Sequence, residues 1–286
     1  MSARRVTAPA PRDVDVHELT LEARWAARWQ GWADWPLTAP IVALAGLAVA
    51  LDVAAAWTGT TLGSVGPVEV SPALPLAAAL VASLGVARLG ASRRSLLAWR
   101  ELAVGLGAVV ALATLGYALL LARPAEAAGL LVAALGEELV YRLAAVLVVG
   151  ALCARLLRRD WRTPRAWGAA PGLVALGVGA LLFSVLPGHV VQMTNLARTV
   201  PFASLALLLG YTVLRTGAVW PAVLVHALLN LTTMAAWRGA SPAGVRLAIA
   251  ATALGALVAA ADIAGRRLGV RRRVPSVIDL SGLRPD

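Results

Sequence analysis

Six residues of this chain have the types and spacing for hydrolytic chemistry. Glu137 and Glu138 stand side by side, and Arg142 follows Glu138 by one helical turn. His189 comes further along, and His226 and Asn230 are again one turn apart. Glu138 and Arg142 can neutralise each other, acid N-terminal to base. Glu137 then points about 100° away around the helix axis and has no local partner. His226 and Asn230 project from one helix face. A lone histidine in an apolar helix is usually an interhelical hydrogen-bond donor, and an ion cluster alone would account for Glu138 and Arg142. Neither reading accounts for Glu137. A spare carboxylate, two histidines and an asparagine make up a base for water and donors for an oxyanion.

The elements that must carry these groups are apolar helices. The chain has 286 residues, 59% hydrophobic and only 14% charged, against about 25% charged in a soluble domain. A membrane-crossing helix needs about 20 mostly apolar residues. Eight runs qualify, near 38–58, 71–90, 102–122, 128–155, 171–188, 199–215, 218–236 and 243–264. The expected fold is an all-α, polytopic transmembrane helix bundle. Ionisable groups at bilayer depth cost about 2.5–3.5 kcal/mol each on insertion scales, so those that occur there are functional candidates.

Net charge is +11, carried by arginine with no lysine in the chain. The arginines cluster between apolar runs: Arg4 to Arg28, then Arg93, Arg94 and Arg100, then Arg155 to Arg165, then Arg266 to Arg273. This alternation reads as topology and predicts eight spans with both termini in the cytoplasm. It argues against a nucleic-acid partner; the expected surroundings are the lipid bilayer, in a multi-pass protein of the bacterial plasma membrane type. The organisation expected is an N-terminal cytoplasmic arm over 1–36, a bundle over 37–265 and a cytoplasmic tail over 266–286. In the arm, Trp25, Trp29 and Trp32 recur at helical spacing beside arginines, as an interfacial segment does. No cleavable signal peptide is visible at the start of the sequence. Cys153 is the single cysteine and reads as a small buried hydrophobe. Asp52, in the first run, has a weak claim to function, and Asp262 can pair with Arg266. Fifth-run boundaries place His189 near the non-cytoplasmic end of its span.

These residues resemble the three motifs of the CPBP family. That family comprises the CAAX prenyl proteases of the Ras-converting type and prokaryotic Abi-like relatives linked to bacteriocin processing and immunity. The resemblance rests on Glu137-Glu138-x-x-x-Arg142, on the Phe183 segment leading to His189, and on His226-x-x-x-Asn230. It extends to the stretch Gly210 to His226 and covers about 125–236. The family usually has an aromatic four residues before its second-motif histidine; here that position is Val185, and Phe183 lies six before. The resemblance implies an intramembrane endopeptidase acting on a peptide or protein at the membrane. It implies that Glu137 with His189 activates water, that His226 and Asn230 stabilise the oxyanion, and that Glu138 and Arg142 orient the site. Zinc is a further expectation, with Glu137, His189 and His226 as the ligand set, although no HExxH helix is present. Two other readings fit the class of molecule: a catalytically silent scaffold or immunity protein, and a proton-coupled transporter. Carriers usually show internal repeats with broken helices in both halves, and none is visible here.

Overall fold

The computed structural model describes residues 38–84, 93–156, 169–191, 193–216 and 219–239. The tryptophan-rich arm, the eighth apolar run with Asp262, and the C-terminal tail lie outside them. The described chain is mostly helical, and helices lie under seven of the eight apolar runs. They are α1 (Ala39–Thr58), α2 (Leu74–Leu84), α3 (Arg93–Leu120) and α4 (Pro124–Leu156). After these come α5 (Ala169–Ser184), the single turn α6 (Pro187–Val190), α7 (Leu196–Thr216) and α8 (Trp220–Trp237). Both α1 and α4 are long and apolar enough to cross a membrane, and α2, α3, α5 and α7 hold shorter apolar stretches.

Outer helix surfaces carry large apolar side chains: Leu47, Leu112, Leu119, Leu152 and Leu181 are all exposed. The interior holds alanines such as Ala45, Ala48 and Ala77, together with Asp52, Glu138, Arg142 and His226. That distribution is inverted relative to a soluble bundle. Small residues inside let helix backbones approach closely, which is how helices associate where lipid is as apolar as leucine.

At 33 residues, α4 is about 50 Å long at 1.5 Å per residue, well beyond the roughly 30 Å of a bilayer's apolar core. It packs on α5, α8 and α1. It is not a uniform α-helix as the sequence led us to expect: a π turn occupies Leu139–Ala144, directly after Glu138. Such turns insert one residue into the helical repeat and occur often at functional sites. The Tyr141 carbonyl within the turn faces Gly179 of α5, where an added Cβ would lie 3.0 Å from the oxygen. The absence of a side chain at Gly179 lets α5 close on the turn.

A short antiparallel hairpin, β1 (Gly63–Val65) and β2 (Val68–Val70), interrupts the all-α pattern between α1 and α2. It lies on the first turns of α4. A Cβ at Gly129 would stand 2.4 Å from the Val65 carbonyl and 2.6 Å from the Val68 Cβ. Gly129→Ala is therefore expected to destabilise the bundle by about 1–3 kcal/mol through overpacking. Thermal unfolding in detergent reads this as a lowered Tm, and an unchanged Tm would mean that the hairpin can lift from α4. Nearby, Glu126 accepts hydrogen bonds from Arg238 Nε at 3.2 Å and Nη2 at 2.9 Å, and from Arg123 Nη1 at 3.2 Å. This staple ties the start of α4 to the end of α8, setting the register in which Glu138 meets His226.

Candidate active site

The fifth apolar run folds otherwise than its sequence boundaries imply. Instead of continuing to residue 188, α5 stops at Ser184, and His189 sits on the separate turn α6. The cause is Pro187, which begins α6 after an extended Leu186 (φ −63°, ψ 142°). A continuous helix would bond the Phe183 carbonyl to the N–H of residue 187, and proline has none. The released carbonyl is taken by His189 Nδ1 at 2.6 Å. A carbonyl only accepts, so Nδ1 carries the proton in this contact. Held in this way, His189 turns its Nε2 towards Glu137.

Three groups converge there. Glu137 Oε2 lies 3.8 Å from His189 Nε2 and 3.6 Å from His226 Nε2. It has no hydrogen-bond partner among the described residues. The Glu137 side chain keeps 29% of its surface exposed, whereas that of Glu138 is fully enclosed. On α8, His226 turns its other nitrogen to α4, with Nδ1 2.8 Å from Glu138 Oε1. A carboxylate accepts here, so Nδ1 donates. Both imidazoles are thus fixed through Nδ1 and present Nε2 to one carboxylate oxygen. The neighbouring glutamates divide: Glu138 holds a histidine from behind, and Glu137 faces two.

The expected pair of Glu138 and Arg142 is present at 3.4 Å, with both side chains buried. The pairing is incomplete, since Arg142 Nη1 and Nη2 find no aligned hydrogen-bond acceptor among the described residues. Arg142 also lies over the Phe183 ring, 4.1 Å from its centroid. A buried guanidinium gains from an aromatic face where water is excluded. Glu138 therefore serves two partners, Arg142 and His226, and sequence spacing pointed only to the first. Asn230 is partly buried one turn beyond His226 on α8. Among the described residues it makes no hydrogen bond to either glutamate or either histidine.

Sequence reasoning passed over the role of the aromatic residues. Despite its shifted position, Phe183 is in the site: its ring is 4.1 Å from that of His189 and 6.0 Å from that of His226. Phe202 of α7 stacks on it at 5.5 Å. Val185, at the family's usual aromatic position, is exposed. The Pro187 break turns the chain so that position 183 meets the histidine. Tyr141 was likewise missed. It is fully buried, sets its ring edge-on to Phe183 at 5.7 Å, and donates its hydroxyl hydrogen to Asp52.

Glu137, His189 and His226 are the residues that would hold a zinc ion, as the resemblance implies. Among the described residues, no three His, Cys, Asp or Glu side chains are gathered so as to hold a metal ion.

Residues 120–232 match the family model described as Rce1-like, type II CAAX prenyl endopeptidase. Neither a search of curated proteins nor a search of solved structures returned a match. The family match spans α4 to α8, contains all six motif residues and leaves α1 with Asp52 outside it. Over this stretch the chain is similar to the Rce1-like CAAX prenyl endopeptidases, in agreement with the CPBP resemblance carried by its three motifs.

Proposed function

We propose that this protein is an intramembrane endopeptidase that hydrolyses a peptide bond with water activated by Glu137 and His189. One observation carries the reading most directly: two imidazole Nε2 atoms, each fixed through Nδ1, face the same buried carboxylate oxygen of a side chain that is otherwise partly exposed. Separations of 3.6 and 3.8 Å are too long for direct hydrogen bonds. A water oxygen bonded to both Glu137 and an imidazole would sit beside the line that joins them, about 2.8 Å from each. Glu137 takes one proton from that water as its oxygen attacks the substrate carbonyl carbon. The C–N bond then breaks, and the proton passes to the leaving amine.

In this mechanism His226 supplies positive charge and an N–H to the tetrahedral oxyanion. Its Nδ1–H stays on Glu138 while Nε2–H is directed at the substrate. Asn230 is the second oxyanion donor, brought to bear once substrate is bound, since catalytic hydrogen bonds often tighten only then. Asn230→Ala is expected to lower kcat by about 10²–10³, with little change in KM. Steady-state cleavage kinetics check both numbers.

The eight-span, N-in/C-in bundle is part of the same proposal, supported by the arginine pattern and by the apolar outer surfaces of the helices. The substrate class follows from the family: a peptide or protein presented at the membrane, with prenylated C-terminal segments as first candidates. Under the scaffold reading, Glu137, His189 and His226 would be costly buried polar groups without a reaction to perform; a transporter would use them as a proton relay, but such carriers usually show internal repeats, which the sequence does not display. The test is cleavage of a reporter membrane peptide by the purified protein in liposomes. Cut products that vanish with Glu137→Gln support the protease. Intact peptide with wild-type protein, across prenylated and unmodified reporters, counts against it.

A further inference from the structure

Asp52 is an acidic residue inside the first apolar helix, outside the stretch that matches the family. It is buried at 9% exposure, and both carboxylate oxygens are occupied. Ser71, from the segment before α2, donates to Oδ1, and the Tyr141 hydroxyl donates to Oδ2. Ser71 is itself held by the Ala73 N–H at 3.1 Å. Two hydroxyl donors make a carboxylate tolerable in an apolar bundle, yet burial alone does not explain why an acid stands here. A leucine would pack against α2 at no polar cost.

What Asp52 grips supplies the explanation. Tyr141 lies in the π turn of α4, one residue before Arg142 and three after Glu138, and α1 packs directly on that turn. The Tyr141 ring abuts Phe183 edge-on at 5.7 Å. Phe183 in turn lies under Arg142 and against His189, each at 4.1 Å, and its carbonyl receives His189 Nδ1. His226 meets the same ring at 6.0 Å. One chain of contacts therefore runs from Asp52 through Tyr141 to the aromatic that both histidines lean on.

We propose that Asp52 is a positioning residue for the catalytic centre, holding the Tyr141 hydroxyl so that Phe183 keeps His189 and His226 turned towards Glu137. Its effect on turnover rests on the hydrolase reading above; its effect on histidine orientation does not. Asp52→Leu leaves the Tyr141 hydroxyl buried without an acceptor and frees the ring to shift. Asp52→Asn keeps a carbonyl acceptor at the same reach. Tyr141→Phe removes the same bond from the other side.

The experiment uses the full-length protein in liposomes with two readouts. The chain has three histidines, His17, His189 and His226, so 15N-labelled imidazole signals can be assigned by single replacements. In wild-type protein and in Asp52→Asn, His189 and His226 are expected to show fixed Nδ1–H rings. In Asp52→Leu and Tyr141→Phe, the His189 signal is expected to move towards a tautomer average. With a cleaved reporter peptide, kcat falls by roughly 10- to 100-fold in these two variants at unchanged KM, the scale of a modest misplacement. Combining them costs no more than either alone, because one bond is broken in both cases. An unmoved His189 signal in Asp52→Leu would overturn the proposal, as would Asp52→Asn behaving like Asp52→Leu. If no peptide were cleaved even by wild-type protein, the hydrolase reading would fail, and the histidine signals would still decide the role of Asp52.

Discussion

Glu137→Ala is expected to abolish peptide cleavage while leaving the protein folded. General-base catalysis is typically worth about 10²–10⁴ in rate, and this side chain is the one that both histidines face. Stability should change little, because Glu137 Oε2 makes no hydrogen bond within the described protein and the side chain keeps 29% of its surface exposed. Removing a carboxylate whose Oε2 makes no hydrogen bond separates chemistry from folding. The check is a matched pair of measurements, reporter cleavage and thermal unfolding. Normal cleavage by the variant would remove Glu137 from the mechanism.

Glu138→Ala, one residue away, is expected to behave differently. Glu138 is fully enclosed, lies 3.4 Å from the Arg142 guanidinium and accepts from His226 Nδ1 at 2.8 Å. Its loss leaves an arginine with 2% exposure without its ion-pair partner among the described residues. Removing one member of a buried ion pair typically costs about 3–5 kcal/mol. It also releases His226 from its fixed orientation, so that any protein surviving purification should cleave poorly. The expected pattern is a lowered Tm together with a lowered kcat, whereas Glu137→Ala lowers only the second. Glu138→Gln restores an acceptor for His226 without the charge and should recover part of the stability. A Glu138→Ala variant as stable as wild type would mean that Arg142 finds its compensation elsewhere.

The motif residues were legible because each is a polar group in an apolar run, and lipid penalises such groups strongly enough to make them conspicuous. Helical spacing also brought out the Glu138–Arg142 pair and the shared face of His226 and Asn230. What the spacing could not carry was the second partner of Glu138, which depends on how α8 lies against α4. The π turn carries no composition signal of its own: Leu139 to Ala144 would suit an ordinary helix equally well. Pro187 was visible but read as the end of a span. Its larger consequence is the carbonyl it releases at Phe183, which then fixes His189. Asp52 was undervalued for a related reason. Its partner Tyr141 lies on a distant helix, and a single sequence shows no pairing across helices. The hairpin at 63–70 reads as a loop until the bare surface of Gly129 on α4 is recognised as its docking site.

The central claim is that Glu137 and His189 act as one unit on a single water. Residues that act as a unit are strongly non-additive in kinetics. Single-turnover cleavage of a reporter peptide by Glu137→Gln, His189→Ala and the double variant tests this most directly. Each single change is expected to reduce the rate by about 10²–10⁴, and the double variant is expected to be no slower than either. Cleavage at the wild-type rate by either single variant, or two losses that multiply in the double, would contradict it.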